Sequence, residues 1–319
     1  MTERIYNIFL HYTNGICTSI SYTVHEVDLS DDDAVVLLQA AVESDLPRSK
    51  NFTLTKPFTM AEYNAKCRLG EGPFLLNDFF DAVGAASEPL FVATPVRGGK
   101  PYFEFSSHHN KPLDMADIAV KLGDGGAMVD WLAKYKKPEG IDITQLIHDD
   151  YFLAIKLTYN AGLHVSAMKL LLSCIDSLAY IEFGDNRQST PFIDWLNAYA
   201  DLVPLGISAA ELWELRNGLL HMSNTNSSKV RNNKIRRISF SVGALSAHPP
   251  QGNDGVYYFN FYKLILEFAA AQERWIATYN ADREKFVKFI ERYDETLSDS
   301  RVTVFSRSNG CQTAHDSES

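Results

Sequence analysis

The chain has 319 residues, of which 45% are hydrophobic and 22% are charged, a composition typical of a globular protein long enough for two domains. Its formal net charge of −10 excludes a broad nucleic-acid-binding surface, because affinity for phosphate backbones comes mainly from clustered Lys and Arg. Any contact with RNA must therefore be local.

The sequence was also searched for membrane spans, for a signal peptide and for cysteine spacings typical of disulfides or zinc. No apolar run approaches the ~20 residues of a membrane span, and the segment Met1–Ile5 lacks the pattern of a signal peptide. We therefore expect a cytoplasmic protein without membrane contact. Cys17, Cys67, Cys174 and Cys311 lack the spacing of zinc ligands or of a disulfide framework, so no metal and no cofactor is predicted. Cys174, inside an apolar helical run, is expected to be a buried thiol.

Residues 1–112 are predicted to form a smaller α+β domain of unknown role. A helix is expected from Ser30 to about Glu43, with Ser30 as its N-cap. The acidic run Asp31–Asp33 fits the first turn of this helix, where negative charge is favourable, and we prefer this interpretation to a metal site.

A second helix and a hairpin complete this predicted domain. Thr59 opens a capping box, and Gly70 supplies the stop. Residues 90–105 alternate as in a β-hairpin, with Gly98–Gly99 at the turn. The polar stretch 106–112 is predicted to be the domain boundary.

Residues 113–300 are predicted to be a helical domain, and residues 301–319 a tail that is disordered. The apolar stretch 143–183 reads as two helices broken near residues 160–162. Strand-like alternation interrupts the helices once, in residues 234–242 and 255–261, which we interpret as an inserted β-hairpin. The remaining helices are predicted at residues 191–200, 208–222, 262–279 and 281–297.

The helix predicted over residues 208–222, called the motif helix below, carries the candidate site. Ser208 and Glu211 form a capping box that fixes its start. At about 100° per residue, one arc of the helix is apolar and expected to face the core. That arc consists of Leu212, Leu215, Leu219 and Met222.

A second, partly apolar face of the motif helix holds the polar residues Arg216, Asn217 and His221, with Trp213 and Leu220 among them. Arg216 and His221 are about 140° apart around the helix, which we expect to be too far for their side chains to converge easily on a single phosphate. A homodimer packed through Trp213 and Leu220 would instead bring Arg216 of one chain to His221 of the other.

The sequence Arg216-Asn-x-x-x-His221 near the end of a late helix resembles the signature of the HEPN superfamily, many of whose members are metal-independent ribonucleases. The resemblance extends to the helical segments 168–179 and 192–199 and covers roughly Asp142 to Asp294. It implies a HEPN-like helical bundle, an endoribonuclease activity, and a role in toxin–antitoxin or anti-phage systems with an antitoxin or other regulatory protein as partner. Taken with the predicted elements, the fold class is mostly α: this bundle with its inserted β-hairpin, preceded by the smaller α+β domain.

The chemistry of these side chains suits RNA cleavage without a metal. Histidine exchanges protons near neutral pH and arginine presents a planar, permanently charged fork of donors to a phosphate. Asn217 can hold either partner or a phosphate oxygen through its amide. The alternative is that Arg216 only pairs with Glu211, Glu214 or Asp176, while His221 merely ends a helix, where a cation is favoured.

Asp176 lies on the core helix that precedes the motif helix, among apolar neighbours, where a carboxylate is costly unless it is paired. We predict that it orients Arg216. A plain salt bridge and a position facing solvent remain the alternatives.

A basic run follows the motif helix directly and contains no carboxylate. It is the dense cluster of positive charge in an acidic chain, so it is predicted to hold RNA phosphates. Exposed basic residues also protect edge strands from mispairing, and this structural role stays open. The run consists of Lys229, Arg231, Lys234, Arg236 and Arg237.

The predicted function is a metal-independent endoribonuclease that acts through Arg216 and His221 in a composite dimeric site. The rival is a non-catalytic HEPN module that binds a nucleotide or a protein partner. The intact motif favours the nuclease, and the acidic charge balance favours the rival.

Overall fold

The computed structural model describes residues 2–101, 107–108, 130–138, 140–185, 188–243 and 255–301. The chain divides into two compact units, the first ending at Lys134 and the second beginning at Tyr135. The boundary predicted at residues 106–112 lies mostly outside the described residues, and so does the predicted tail from residue 302 onward.

The first unit is built on a mixed β-sheet. Its order is β3-β2-β1-β4-β5, with β6 also paired to β4; β1 and β4 are parallel, and the other pairs are antiparallel. The strands are β1 (Glu3–Thr13), β2 (Ile16–Val27), β3 (Lys50–Thr59), β4 (Phe91–Arg97), β5 (Lys100–Pro101) and β6 (Ser107–His108).

Alternating side chains give this sheet two apolar faces. On one face Tyr6 and Ile8 join a cluster around Phe79, and on the other Ile5 packs with Leu38. Phe79 and Leu38 belong to helices that lie between strands of the sheet in chain order. They are α1 (Asp31–Asp45), α2 (Met60–Leu69) and α3 (Asn77–Val83).

Several predictions for this unit are confirmed. Ser30 accepts a hydrogen bond from the backbone of Asp33, and Thr59 caps α2 in the same way. Gly70 ends α2 in the left-handed conformation, with φ 82°. Gly98–Gly99 joins β4 to β5 with positive φ at both residues.

The second unit is mainly helical. A π-helical turn at His148–Phe152 joins its first two helices, and two pairs of short strands accompany the bundle. Helix α4 (Trp131–Tyr135) contains the boundary between the units, and the helices of the second unit are α5 (Ile143–Ile147), α6 (Leu153–Asn160), α7 (His164–Phe183), α8 (Pro191–Tyr199), α9 (Ala209–Met222), α10 (Ser228–Arg231), α11 (Phe261–Ala281) and α12 (Lys285–Tyr293). The strands are β7 (Lys136–Lys137), β8 (Gly140–Ile141), β9 (Ile238–Ser241) and β10 (Tyr257–Asn260).

Helix α7 is the central helix of this bundle. Leu171, Leu172 and Ile175 are fully buried, and so is Cys174, as predicted. Among the described residues α7 alone is long and apolar enough to cross a membrane by length and composition, but half of that stretch is buried in the protein. The predicted break in residues 143–183 is confirmed at 161–163, between α6 and α7.

Two fold predictions are wrong. The protein is not mostly α: the β-rich first unit and the helical second unit together make an α+β protein. The strands β1, β2 and β3, which pair antiparallel, β1 with β2 and β2 with β3, were not predicted.

The prediction of an inserted β-hairpin is also wrong, because β9 and β10 pair in parallel. Ile238 lies opposite Tyr257, and Ser241 lies opposite Asn260. Residues 242–256 separate the two strands. Parallel pairing needs a crossover of roughly a dozen or more residues, and this segment has that length.

Candidate functional site

The motif helix is α9, and its start is the predicted capping box. Ser208 accepts from the backbone of Glu211, and the Glu211 carboxylate accepts from the backbone N–H of Ser208. The apolar arc is buried at Leu212, Leu215 and Leu219. Met222 departs from the prediction, since it is 45% exposed in the last turn.

Arg216 is the centre of a polar cluster on this helix. Its Nε donates to Oδ2 of Asp176 on α7 at 2.7 Å, and its Nη1 donates to Oδ1 of Asn217 at 3.1 Å. The same Nη1 lies 3.1 Å from Nε2 of His221. A guanidinium only donates hydrogen bonds, so Nε2 of His221 is the acceptor and carries no proton in this arrangement.

Arg216 and His221 meet within one chain, although the helical angle between them predicted that they would not converge easily on a single phosphate. The angle of about 140° describes where the two side chains leave the helix, whereas the long arginine side chain extends along the helix surface to reach His221. Each chain therefore holds the pair by itself.

Asp176 occupies the position that an orienting residue requires. Burial raises the pKa of the Asp176 carboxyl, and the adjacent Arg216 and His221 offset part of that rise. The ion pair is partly shielded, with 20% of the Arg216 side chain and 28% of the Asp176 side chain exposed. Asp176 thus forms a salt bridge and is only partly open to solvent, which is common to an orienting residue and to the alternative of a plain salt bridge.

Trp213 makes contacts inside the chain. The Arg216 guanidinium carbon lies 5.0 Å from the centre of the Trp213 ring. The centres of the Trp213 ring and of the Phe192 ring on α8 are 5.3 Å apart. Trp213 and Leu220 are both half-buried. The Trp213 indole thus packs against the Arg216 guanidinium within one chain, whether or not a second chain covers the rest of the indole.

Two residues of the basic run are ion-paired to the motif helix. Lys229 Nζ lies 3.1 Å from the buried carboxylate of Glu214. Arg236 binds Glu211 at 2.7 Å and lies over the ring of Tyr257.

Two more members of the run hold the segment that follows the motif helix. Arg231 donates to the carbonyl of Asn226 at 3.0 Å, and Arg237 donates to the hydroxyl of Thr225 at 2.9 Å. Lys234 is exposed, and within the described part of the chain its ammonium has no partner.

Sequence analysis missed one basic residue next to the motif. Lys169, on α7, donates to the hydroxyl of Ser223 at 2.9 Å, and Ser223 immediately follows the motif helix with φ 52°. Lys169 precedes Asp176 by about two helical turns, so both lie on one face of α7. That spacing was the signal available in the sequence.

No group of three or more His, Cys, Asp or Glu side chains suited to a metal ion occurs among the described residues.

Comparison with known proteins yields no relative. No protein-family model, no curated protein and no solved structure matches the chain. The resemblance to the HEPN superfamily therefore remains a prediction, which rests on the motif residues and the segments around them.

Proposed function

We propose that the protein is a metal-independent endoribonuclease of HEPN type, with Arg216, Asn217 and His221 as catalytic residues and Asp176 as the residue that positions Arg216. One observation carries the proposal. A single guanidinium is hydrogen-bonded both to the carboxylate of Asp176 and to Nε2 of His221, next to solvent. A cation and a proton acceptor are thus held together before any substrate binds.

This geometry suits cleavage by the RNA's own 2′-hydroxyl. When the Arg216 guanidinium turns its Nη1 from His221 to the phosphate, Nε2 of His221 is free to accept the 2′-hydroxyl proton as the 2′-oxygen attacks phosphorus. The bond from phosphorus to the 5′-oxygen breaks, and that oxygen takes up a proton from solvent water as it leaves. The products are a 2′,3′-cyclic phosphate and a 5′-hydroxyl. Arg216 stabilises the charge that develops on the phosphate oxygens.

The proposal includes a homodimer, but each chain supplies a complete set of catalytic residues. The half-buried Trp213 and Leu220 remain the proposed contact between the two copies. A cytoplasmic location and a role in toxin–antitoxin or anti-phage defence, with a regulatory protein partner, belong to the proposal through the family resemblance alone.

The test is cleavage of total RNA by purified protein in EDTA. Arg216→Ala and His221→Ala should each lower the rate by at least about 100-fold, the low end of an acid–base contribution, without loss of folding. His148→Ala is the matched control, since His148 is also an exposed histidine of the second unit. Full activity of His221→Ala, or activity that disappears with EDTA, would contradict the mechanism.

The rival function, a module that binds a nucleotide or a protein without cleaving RNA, has its own support. The net charge is −10, and Lys229 and Arg236 are ion-paired with Glu214 and Glu211, which leaves less positive charge for RNA. Intact RNA after prolonged incubation, together with saturable binding of a mononucleotide, would favour this rival.

A further inference from the structure

Two hydrogen bonds connect α7 to the motif helix and its C-terminal end. Lys169 of α7 binds Ser223, and Asp176 of α7 binds Arg216. Lys169 comes about two turns before Asp176, whereas Ser223 comes about two turns after Arg216, so the two helices run in opposite directions here. The side chains of Lys169 and Arg216 therefore start about 10 Å apart along the two helices, and the surface between them is called the strip below.

The strip between these cations is open to solvent. Ser173, which lies between Lys169 and Asp176 on the same face of α7, is exposed, and so is His221 on the motif helix. The carboxylate in the strip, that of Asp176, is already bound by Arg216. Lys169 thus contributes a positive charge that no acid within the strip neutralises.

The partner of Lys169 distinguishes it from the other lysines near the motif helix. Lys229 is paired with Glu214, whereas within the described part of the chain Lys169 binds only the neutral hydroxyl of Ser223. A phosphate oxygen can replace a hydroxyl as the acceptor with a gain in hydrogen-bond strength, because both partners are then charged.

We propose that Lys169 binds the phosphate next to the scissile one in a single RNA strand that lies along this strip. The inference rests on the proposed function, which places the scissile phosphate at Arg216 and His221. A single strand carries one phosphate per nucleotide, so the adjacent phosphate extends along the strip toward Lys169. Ser223 holds the lysine side chain in place until the strand arrives.

The alternative role of Lys169 is purely structural. A cation near the C-terminal end of a helix is favourable, and Lys169 binds the residue that ends the motif helix. Lys169→Gln separates the two roles, because the glutamine amide keeps a donor for Ser223 and removes the charge.

The experiment measures binding of a short single-stranded 2′-O-methyl oligouridylate, which lacks the attacking hydroxyl, as a function of salt concentration. We expect Lys169→Gln to reduce the log–log salt slope by about 0.7, the value for one lost phosphate contact on a single strand. Lys169→Arg should restore it. Lys156→Gln, an exposed lysine on α6, is the matched control for the change in net charge and should leave the slope unchanged.

Wild-type cleavage of ordinary RNA is measured in parallel, so the two proposals fail separately. An unchanged slope in Lys169→Gln, with cleavage intact in the wild type, overturns the phosphate site and leaves the nuclease. A reduced slope without any wild-type cleavage keeps the phosphate site and overturns the nuclease. Absence of both binding and cleavage in the wild type overturns both.

Discussion

At the scale of single residues, the site is decided by how Arg216 is held. Besides its contact with His221, three groups hold its guanidinium: the Asp176 carboxylate, the Asn217 amide and the face of the Trp213 ring. An arginine fixed in this way loses less side-chain freedom when a phosphate binds, because the freedom is already lost on folding. The energetic cost of this order falls on folding and not on catalysis.

Asp176→Asn tests whether this carboxylate serves stability or position. The pKa of Asp176 is raised in the folded protein, so folding disfavours the charged form of this carboxyl. The stabilisation by Asp176 is therefore fully present below the pKa of the unfolded chain, about 3.9, and it is lost as the pH rises through the folded pKa. We therefore expect the wild type to lose stability relative to the variant between acid and neutral pH. Denaturant unfolding of both proteins across this range measures the difference.

The same substitution should lower kcat more than it raises KM, by up to about 100-fold, because Arg216 loses its orientation. A large loss of stability at neutral pH with unchanged kcat in the folded fraction would assign Asp176 a structural role only.

Gly218→Ala is predicted to destabilise the protein, although alanine is normally the better helix former by about 1 kcal/mol. A Cβ on Gly218 would lie 2.3 Å from the carbonyl oxygen of Asn224, where the chain folds back over the helix. The contact is with backbone, so the segment at Ser223–Thr225 must move. Thermal unfolding should show a lower Tm, and an unchanged or raised Tm would contradict this account.

At the scale of elements, the motif helix is tied to the segment that follows it by charge. Glu211 has two tasks, since it completes the capping box and also pairs with Arg236. The buried Glu214 is paired with Lys229. The sequence of the basic run suggests an RNA-binding surface, but two of its cations form ion pairs that connect α9 to α10 and to the segment before β9.

Two substitutions within the basic run separate binding from stability. Lys234→Gln removes a cation with no partner in the described part of the chain and should reduce the salt slope of RNA binding by about 0.7 if the run contacts phosphate. Arg236→Gln removes an ion pair and a contact with the Tyr257 ring, each worth up to about 1 kcal/mol at an exposed site, and should mainly lower stability. Equal effects of both variants on the salt slope, with no loss of stability, would instead assign the whole run to RNA.

At the scale of the whole molecule, the question is whether one chain is sufficient for the site. Arg216 and His221 of the same chain are in hydrogen-bonding contact, and Asp176 comes from that chain too. The dimer proposed through Trp213 and Leu220 would then bring two complete sites together, without sharing one between chains.

Mixing two inactive proteins, Arg216→Ala and His221→Ala, under conditions of subunit exchange tests this point. We expect no recovery of cleavage, because no chain in the mixture holds both side chains. Wild type exchanged with His221→Ala serves as the control and should keep activity in proportion to its wild-type subunits. Recovery in the mixture of inactive proteins would show that the site is shared between chains.

The sequence by itself determined the local elements. Side-chain caps at Ser30, Thr59 and Ser208 act over three residues, so the starts of those helices could be read directly. The motif residues and the core stripe at Leu212, Leu215 and Leu219 also followed from helical periodicity. Even the unpredicted β1–β2 hairpin left a local signal, the Asn-Gly pair between the strands.

Only the tertiary structure decided what these elements do together. The pairing of β1 with β4 and the parallel pairing of β9 with β10 depend on contacts between residues far apart in the chain, which local patterns do not specify. Lys169 lies next to the end of the motif helix because α7 packs beside that helix. The Arg216–His221 contact depends on the reach and rotamer of a long side chain, and helical angles describe only where such a side chain begins.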